Sequence, residues 1–389
     1  MVVGIVAEYN PFHNGHKYQI DYAKNTLGAS QVVIAMSGSF TQRGEIACFN
    51  KYTRAEAALT CDADIVFEIP TIFATSSARE YASAAIALLS NTKVVDTILF
   101  GAECSDKELF IDSAKKLIDI EESDEFNELI KYHMSTGKSY ALARSEALSK
   151  YIPTDILSSP NNILGLEYCR YIILNNLDIN IEVLKRSGND YNSTELSKDI
   201  SSASAIRRHM ASHRELLSVP EKALSIYNNA TYIEADDISS MLHYKLFTDT
   251  DLTRYLDCND ELAARITNNL DSYVNFTQFC DLIKTKNITY SKVSRVLCHI
   301  LLDITEDDFC IAKENGYIKK LRMLGFSRNG SSLLSDIKNK SSYNICTSPD
   351  QEIDHFDILS SDLLRAIETS KTQKPQPTEF TRKFNLTNI

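Results

Sequence analysis

Val2-Val3-Gly4-Ile5-Val6-Ala7-Glu8-Tyr9-Asn10-Pro11-Phe12-His13-Asn14-Gly15-His16 opens the chain, and the rest of the sequence is read outward from it. The apolar run 2–7 predicts a short buried strand, residues 8–12 break it, and over 17–27 the pattern turns helical. A helix that starts there points unpaired N–H groups and the positive end of its dipole at one spot, which suits phosphates. His13 and His16 stand three residues apart, so both imidazoles can reach the same phosphate chain. Histidine pairs also bind metal, but no Cys-x-x-Cys or third histidine stands nearby to complete a zinc site. An incidental turn is the remaining alternative.

The chain's 389 residues, 43% hydrophobic and 24% charged, suit a globular protein of two or three domains with an ample core. No run approaches membrane-spanning length, and Met1 leads straight into a core strand, which leaves no room for a signal peptide. The nine cysteines occur singly, mostly inside apolar stretches, as expected of reduced core residues in a cytoplasmic protein. A net charge of −11 argues against broad, non-specific nucleic-acid binding. A local exception lies at 311–340, where seven cations face two anions, a net of +5. This stretch, with Lys319, Lys320 and Arg322 at its centre, is expected to contact RNA.

Over the first 190 residues, β-rich runs at 2–7, 31–36, 64–69, 94–100 and 180–185 alternate with helical stretches such as 52–60 and 77–90. That rhythm predicts an α/β fold with a parallel sheet and helices on both faces. Ligands of such sheets bind beyond the carboxyl ends of the strands. Glu8 to His16, Ser37-Gly38, Gly101-Ala102-Glu103 and Arg186-Ser187-Gly188 all fall there. The expected division is a nucleotide-binding domain at 1–215 with a helical insertion at 106–176, a helical domain at 216–310 and a small basic region at 311–389. The tail from residue 369 is expected to be flexible.

A second motif, Ser201-Ser202-Ala203-Ser204-Ala205-Ile206-Arg207, reads as a helix N-cap followed by an arginine one turn in. Hydroxyls and free N–H groups would grip phosphates there, with Arg207 adding a charge-assisted fork. Alone it is a plain cap; paired with the N-terminal motif it completes a two-sided triphosphate site. Arg43, and Lys51 with Arg54, are weaker candidates for phosphate contact, and a surface ion-pair role serves them equally.

These two motifs resemble the HIGH-type nucleotidyltransferase superfamily. The longer pattern resembles one family within it, the bacterial tRNA(Met) cytidine acetate ligases. The likeness runs through Ala35-Met36-Ser37-Gly38-Ser39-Phe40-Thr41-Gln42-Arg43-Gly44, Lys51-Tyr52-Thr53-Arg54-Ala55, Phe67-Glu68-Ile69-Pro70, Phe100-Gly101-Ala102-Glu103, Pro160-Asn161-Asn162-Ile163-Leu164-Gly165, Lys185-Arg186 and Arg322-Met323-Leu324-Gly325-Phe326. It is dense to residue 210 and sparser beyond. Tyr52 stands where Trp is common and Ser204 where Thr is common; serine keeps the hydroxyl.

The resemblance implies a Rossmann-like domain followed by a mostly helical C-terminal region. It also implies ATP-dependent acetylation, by free acetate, of N4 of the wobble cytidine of elongator tRNA(Met), through an acetyl-adenylate. His13, His16, Ser202, Ser204 and Arg207 would be catalytic. Ile5, Val6, Ala7, Glu8, Tyr9, Asn10, Pro11, Phe12, Asn14, Gly15, Lys17 and Tyr18 would hold ATP along with the histidines. Gly101, Asn161 or Asn162, and Arg186 would contact adenosine or the α-phosphate. Mg²⁺ would accompany ATP through phosphate oxygens and waters, without a protein cage of its own. Two other readings stay open: a cofactor-synthesising adenylyltransferase of the nicotinamide or pantetheine type, and a non-catalytic RNA-binding protein with ATP as a folding ligand.

Overall fold

Side chains alternate along each central strand and sort the core into two layers, one on each face of the sheet. In β2 (Gln31–Ser37), Val32, Ile34 and Met36 join one apolar cluster while Val33 and Ala35 join the other. The computed structural model describes residues 1–138, 140–186, 201–350, 354–382 and 386–387. The other strands are β1 (Val2–Ala7), β3 (Ile65–Ile69), β4 (Thr97–Ala102), β5 (Asn180–Lys185), β6 (Leu321–Ser327), β7 (Ile345–Cys346) and β8 (Leu386–Thr387). They run in the order β5-β4-β1-β2-β3-β6-β7, with β8 also paired to β6. The first five are mutually parallel, as the strand–helix rhythm predicts.

Successive strands step outward from β1 through β2 to β3, and the chain then returns to lay β4 on the other side of β1. This reversal opens a crevice beyond the carboxyl ends of β1 and β4, where a doubly wound sheet receives its ligand. One face carries the helices Asn14–Asp21, Lys51–Thr60, Ala203–His213 and Glu221–Tyr227. The other carries Ala78–Asn91 and Pro160–Leu174, and its core continues into the helices Ser239–Thr248, Asp260–Asn268, Phe276–Ile283 and Tyr290–Leu301. Alanine at positions 82, 84, 85 and 87 gives Ala78–Asn91 a thin surface that packs closely on the sheet.

Two expectations are corrected in the last third. Residues 311–389 do not form a separate basic unit: β6 pairs antiparallel with β3, and β7 and β8 extend the sheet from it. The strand escapes local pattern reading because Arg322 stands second in it, and the groups that neutralise it come from distant sequence. Nor is the described part of the tail loose. The helix His355–Thr372 packs on the core, and Glu379 is buried beside Lys51 and Arg322. No helix of the described residues is long and apolar enough to cross a membrane, and all nine cysteines are free thiols.

Candidate active site

At the end of β1 the chain turns through Tyr9, at φ 47°, and a cis Asn10–Pro11 peptide before His13 caps the helix Asn14–Asp21. The cap is reciprocal: the Gly15 N–H donates to His13 Nδ1 at 3.1 Å, and the His13 N–H donates to His16 Nδ1 at 3.2 Å. The two rings stack with centroids 3.7 Å apart, and Tyr9 meets His16 edge-on at 4.7 Å. An imidazole that accepts at Nδ1 carries its proton on Nε2 when neutral. Both are neutral at physiological pH. Burial, then the nearby Arg186 and Arg207, takes His13 down to about 3. Burial, then His13 and Arg186, takes His16 well below its ordinary value. The pair thus presents two Nε2–H donors rather than two fixed cations.

Across the cavity, Ser202 caps the helix Ala203–His213 by accepting the Ala205 N–H at 3.2 Å. Arg207, one turn in, donates from Nη1 to the Asn10 carbonyl at 2.8 Å, and its Nη2 lies 3.3 Å from Glu45. The two motifs are also tied through Ser218. The Asn14 N–H donates to the Ser218 carbonyl at 2.8 Å, and the Ser218 hydroxyl donates to Ser201 at 3.1 Å. Nothing local in the sequence marks Ser218 for this role.

Arg54 holds the strand ends in place. Fully buried, it donates to the carbonyls of Glu8 at 2.5 Å, Ser37 at 3.1 Å and Phe49 at 2.9 Å, and to that of Gly38. It therefore clamps the exits of β1 and β2 with no carboxylate partner among the described residues, since main-chain oxygens take up its donors. Lys51 is equally buried, 2.7 Å from Glu68 and 3.2 Å from Glu379. Neither residue is a surface ion pair or a phosphate contact. Tyr52, in the place where Trp is common, uses the hydroxyl that Trp lacks. It donates to Glu379 at 2.8 Å and accepts from Arg322 Nη2 at 2.9 Å.

The crevice encloses a cavity of about 210 Å³. From the N-terminal stretch, Val6, Ala7, Glu8, Tyr9, Asn10, His13 and His16 line it; Gly101, Asn161, Arg186, Ser202, Ser204 and Arg207 complete the predicted set. Several expected contacts lie elsewhere. Ile5, Pro11 and Phe12 are buried in the core, Tyr18 is exposed, and Lys17 pairs with Asp21 and Asp62. Asn14 and Gly15 spend their N–H groups on Ser218 and His13. Asn162 is a scaffold residue. Its Oδ1 accepts from the N–H groups of Glu103 and Cys104, and its Nδ2 donates to the Asp155 carbonyl at 2.6 Å. Asn161 instead donates to Glu103 at 2.7 Å, and Glu103 lies 3.5 Å from Arg186.

Sequence reasoning missed Gln19, Tyr81, Phe100, Leu164 and Tyr168 in the lining. Their apolar or uncharged side chains carry no phosphate signature. Ser187 and Gly188 lie outside the described residues.

The expected RNA contacts fare differently. Arg322 is buried and paired with Glu379 at 3.0 Å, which removes it from any surface. Lys320 pairs with Asp354, and only Lys319 of the three is exposed. Charge counting treated seven cations as one face, but folding turns part of them inward. Among the other histidines, His299 is buried between the carbonyls of Leu256 and Thr75, a packing role.

A sheet of this order, with a His-x-Gly-His helix start facing a serine-capped helix across one cavity, defines a HIGH-type nucleotidyltransferase. Residues 1–379 match the family model described as HIGH Nucleotidyl Transferase. The tRNA(Met) cytidine acetate ligase of Clostridium perfringens (strain SM101 / Type A) is 35% identical over 363 residues, covering 88% of this chain and 89% of that protein. That of Thermosipho melanesiensis is 33% identical over 386 residues, covering 96% and 88%. The chain belongs to the tRNA(Met) cytidine acetate ligase family. Among solved structures, apo TmcAL of Thermotoga maritima superposes with a TM-score of 0.91 at 26% identity, over 100% of both chains. The same protein bound with alpha-thio ATP gives 0.86 at 26% identity, over 97% of both.

Proposed function

We propose that this enzyme is a carbon–nitrogen ligase of the cytoplasm. It joins acetate to N4 of the wobble cytidine of elongator tRNA(Met), with ATP as the energy source. In the first half-reaction an acetate oxygen attacks the α-phosphorus and pyrophosphate leaves, giving acetyl-adenylate. In the second, the cytidine N4 forms a bond to the acetyl carbon and the bond from that carbon to the phosphate oxygen breaks. The products are N4-acetylcytidine and AMP, with one N4 proton released.

The observation that carries this reading is the pair of Nε2–H donors fixed by the reciprocal His13–His16 cap, on one cavity with Arg186 and Arg207. Acetate is already an anion and needs no base to attack phosphorus. The protein's task is to neutralise the triphosphate, align the reactants and stabilise departing pyrophosphate. His13, His16, Ser202, Ser204 and Arg207 are assigned to that task, and Gly101, Asn161 and Arg186 to the adenosine side. Mg²⁺ would arrive with ATP as part of the substrate. The alpha-thio ATP complex of the Thermotoga protein supports nucleotide binding in this fold, and the names of the relatives support the acceptor.

The test is incubation of the protein with ATP, labelled acetate and total tRNA. Label on a single cytidine of one tRNA, with pyrophosphate–ATP exchange that depends on acetate, is the expected result. A requirement for acetyl-coenzyme A, or a stable dinucleotide formed without tRNA, would overturn it.

A further inference from the structure

A second cleft, of about 820 Å³, opens beside the nucleotide cavity, and Arg43, Ser204 and Arg207 line both. Its size falls in the range of small-molecule sites. One wall is a single stripe of the helix Ala203–His213, since Ser204, Arg207, Arg208 and Ala211 follow the i, i+3, i+4, i+7 spacing of one helical face. The opposite wall comes from the helical domain through Thr277 and Asp281, and Tyr232 closes one side.

Its charges are unevenly committed. Glu45 lies 3.3 Å from Arg207, Glu234 2.9 Å from Arg214, and Asp281 2.5 Å from Lys284; Asp236 accepts the Thr277 N–H at 2.8 Å. Arg208 is exposed and pairs with no acid among the described residues. The cleft thus offers a cation with no acidic partner among the described residues, one helical step from residues that also line the nucleotide cavity.

We propose that this cleft receives the acceptor cytidine, turned out of its RNA loop, with Arg208 on a phosphate of the same strand. The proposal rests on the tRNA-acetylation reading above. An acyl-adenylate is consumed where it forms, so the attacking amine must enter through a space that shares a wall with the nucleotide cavity, and this cleft does. The cavity lined by Lys319, Lys320 and Arg322 has no lining residue in common with the nucleotide cavity. A base seated in that cavity would not meet an acetyl group held in the nucleotide cavity. Taking a base out of its loop into a pocket is the general solution for chemistry on a nucleobase.

The test compares two reactions in the full-length protein. Arg208→Glu reverses the exposed charge, and Ala211→Trp fills the cleft from an exposed helix position. Both are expected to keep acetate-dependent pyrophosphate–ATP exchange within twofold of the unaltered enzyme while losing at least tenfold in tRNA acetylation. Arg208→Lys should retain acetylation, and Lys319→Glu should leave both reactions unchanged. Intact acetylation in both cleft variants, or loss in Lys319→Glu instead, would overturn the cleft assignment alone. Absence of acetate-dependent exchange in the unaltered enzyme would overturn the functional reading beneath it.

Discussion

The His13 N–H donates to Nδ1 of His16, so the backbone of the first histidine sets the ring of the second. His13's own ring is set the same way by the Gly15 N–H. Both Nδ1 atoms are occupied as acceptors, and the protons sit on Nε2. A glutamine amide can reach where Nε2 stands, whereas an asparagine amide mimics Nδ1. His13→Ala or His16→Ala should slow acetate-dependent exchange about a hundredfold, about 2.7 kcal/mol of lost stabilisation of the leaving group. His16→Gln should recover more of that loss than His16→Asn. Equal rates in the two amide variants would sink the tautomer assignment.

Acid should destabilise the ligand-free protein through His13. Burial, with Arg186 and Arg207 nearby, lowers its folded value to about 3, against 6.5 for an ordinary histidine. Between those values the unfolded chain binds the extra proton and the folded chain does not. Stability therefore falls as pH drops below 6.5 and keeps falling until about 3. For this one group the linkage amounts to about 2 kcal/mol between pH 7 and pH 5. Urea unfolding at the two pH values should show that drop in the parent, and a drop smaller by a comparable amount in His13→Gln. Bound triphosphate, an anion beside the ring, should oppose it.

Lys51 tests the other buried cluster. Burial pulls its ammonium down, but Glu68 and Glu379 outweigh that and raise it above the ordinary lysine value. Burial pushes Glu379 up, but Lys51, the Tyr52 hydroxyl and Arg322 hold it at about 2. Among the described residues, Lys51→Met would leave buried Glu68 with Arg322 Nε, 4.0 Å away, as its remaining cation. The expected loss is roughly 3–5 kcal/mol in urea unfolding. Lys51→Met combined with Glu68→Gln should recover part of it. Lys51 does not line the nucleotide cavity, so exchange per folded molecule should hold.

Sequence alone carried the first five strands because each is a short run with its own flanking punctuation, and it picked out residues that line one cavity because strand ends in a parallel sheet converge. It failed where a side chain's role is set by a distant partner. Arg322 looks like a surface cation until Tyr52 and Glu379 are brought to it, and Arg54 looks like one until the carbonyls of Glu8, Ser37, Gly38 and Phe49 surround it. Asn161 and Asn162 are neighbours with the same chemistry. Only the burial of the second, beneath the Glu103 and Cys104 N–H groups, tells them apart.

Gly44 and Gly28 share a left-handed backbone, at φ +74° and +73°, and differ in what surrounds them. A Cβ on Gly28 meets nothing within 4 Å, whereas one on Gly44 would stand 2.5 Å from the Arg295 backbone. Gly28→Ala should therefore cost only the conformational strain, about 1 kcal/mol. Gly44→Ala carries the same strain and also forces loop 41–45 off the helix Tyr290–Leu301. Main chain cannot rotate aside as a side chain can, so the expected loss is at least about 2 kcal/mol larger in urea unfolding. That loop also donates the Gln42 N–H to Glu8 at 2.8 Å and sets Glu45 beside Arg207. Gly44→Ala should slow both exchange and tRNA acetylation, while Gly28→Ala slows neither. Equal stability of the two variants would mean that the loop yields without cost, and that its seat on the helical domain does not position the site.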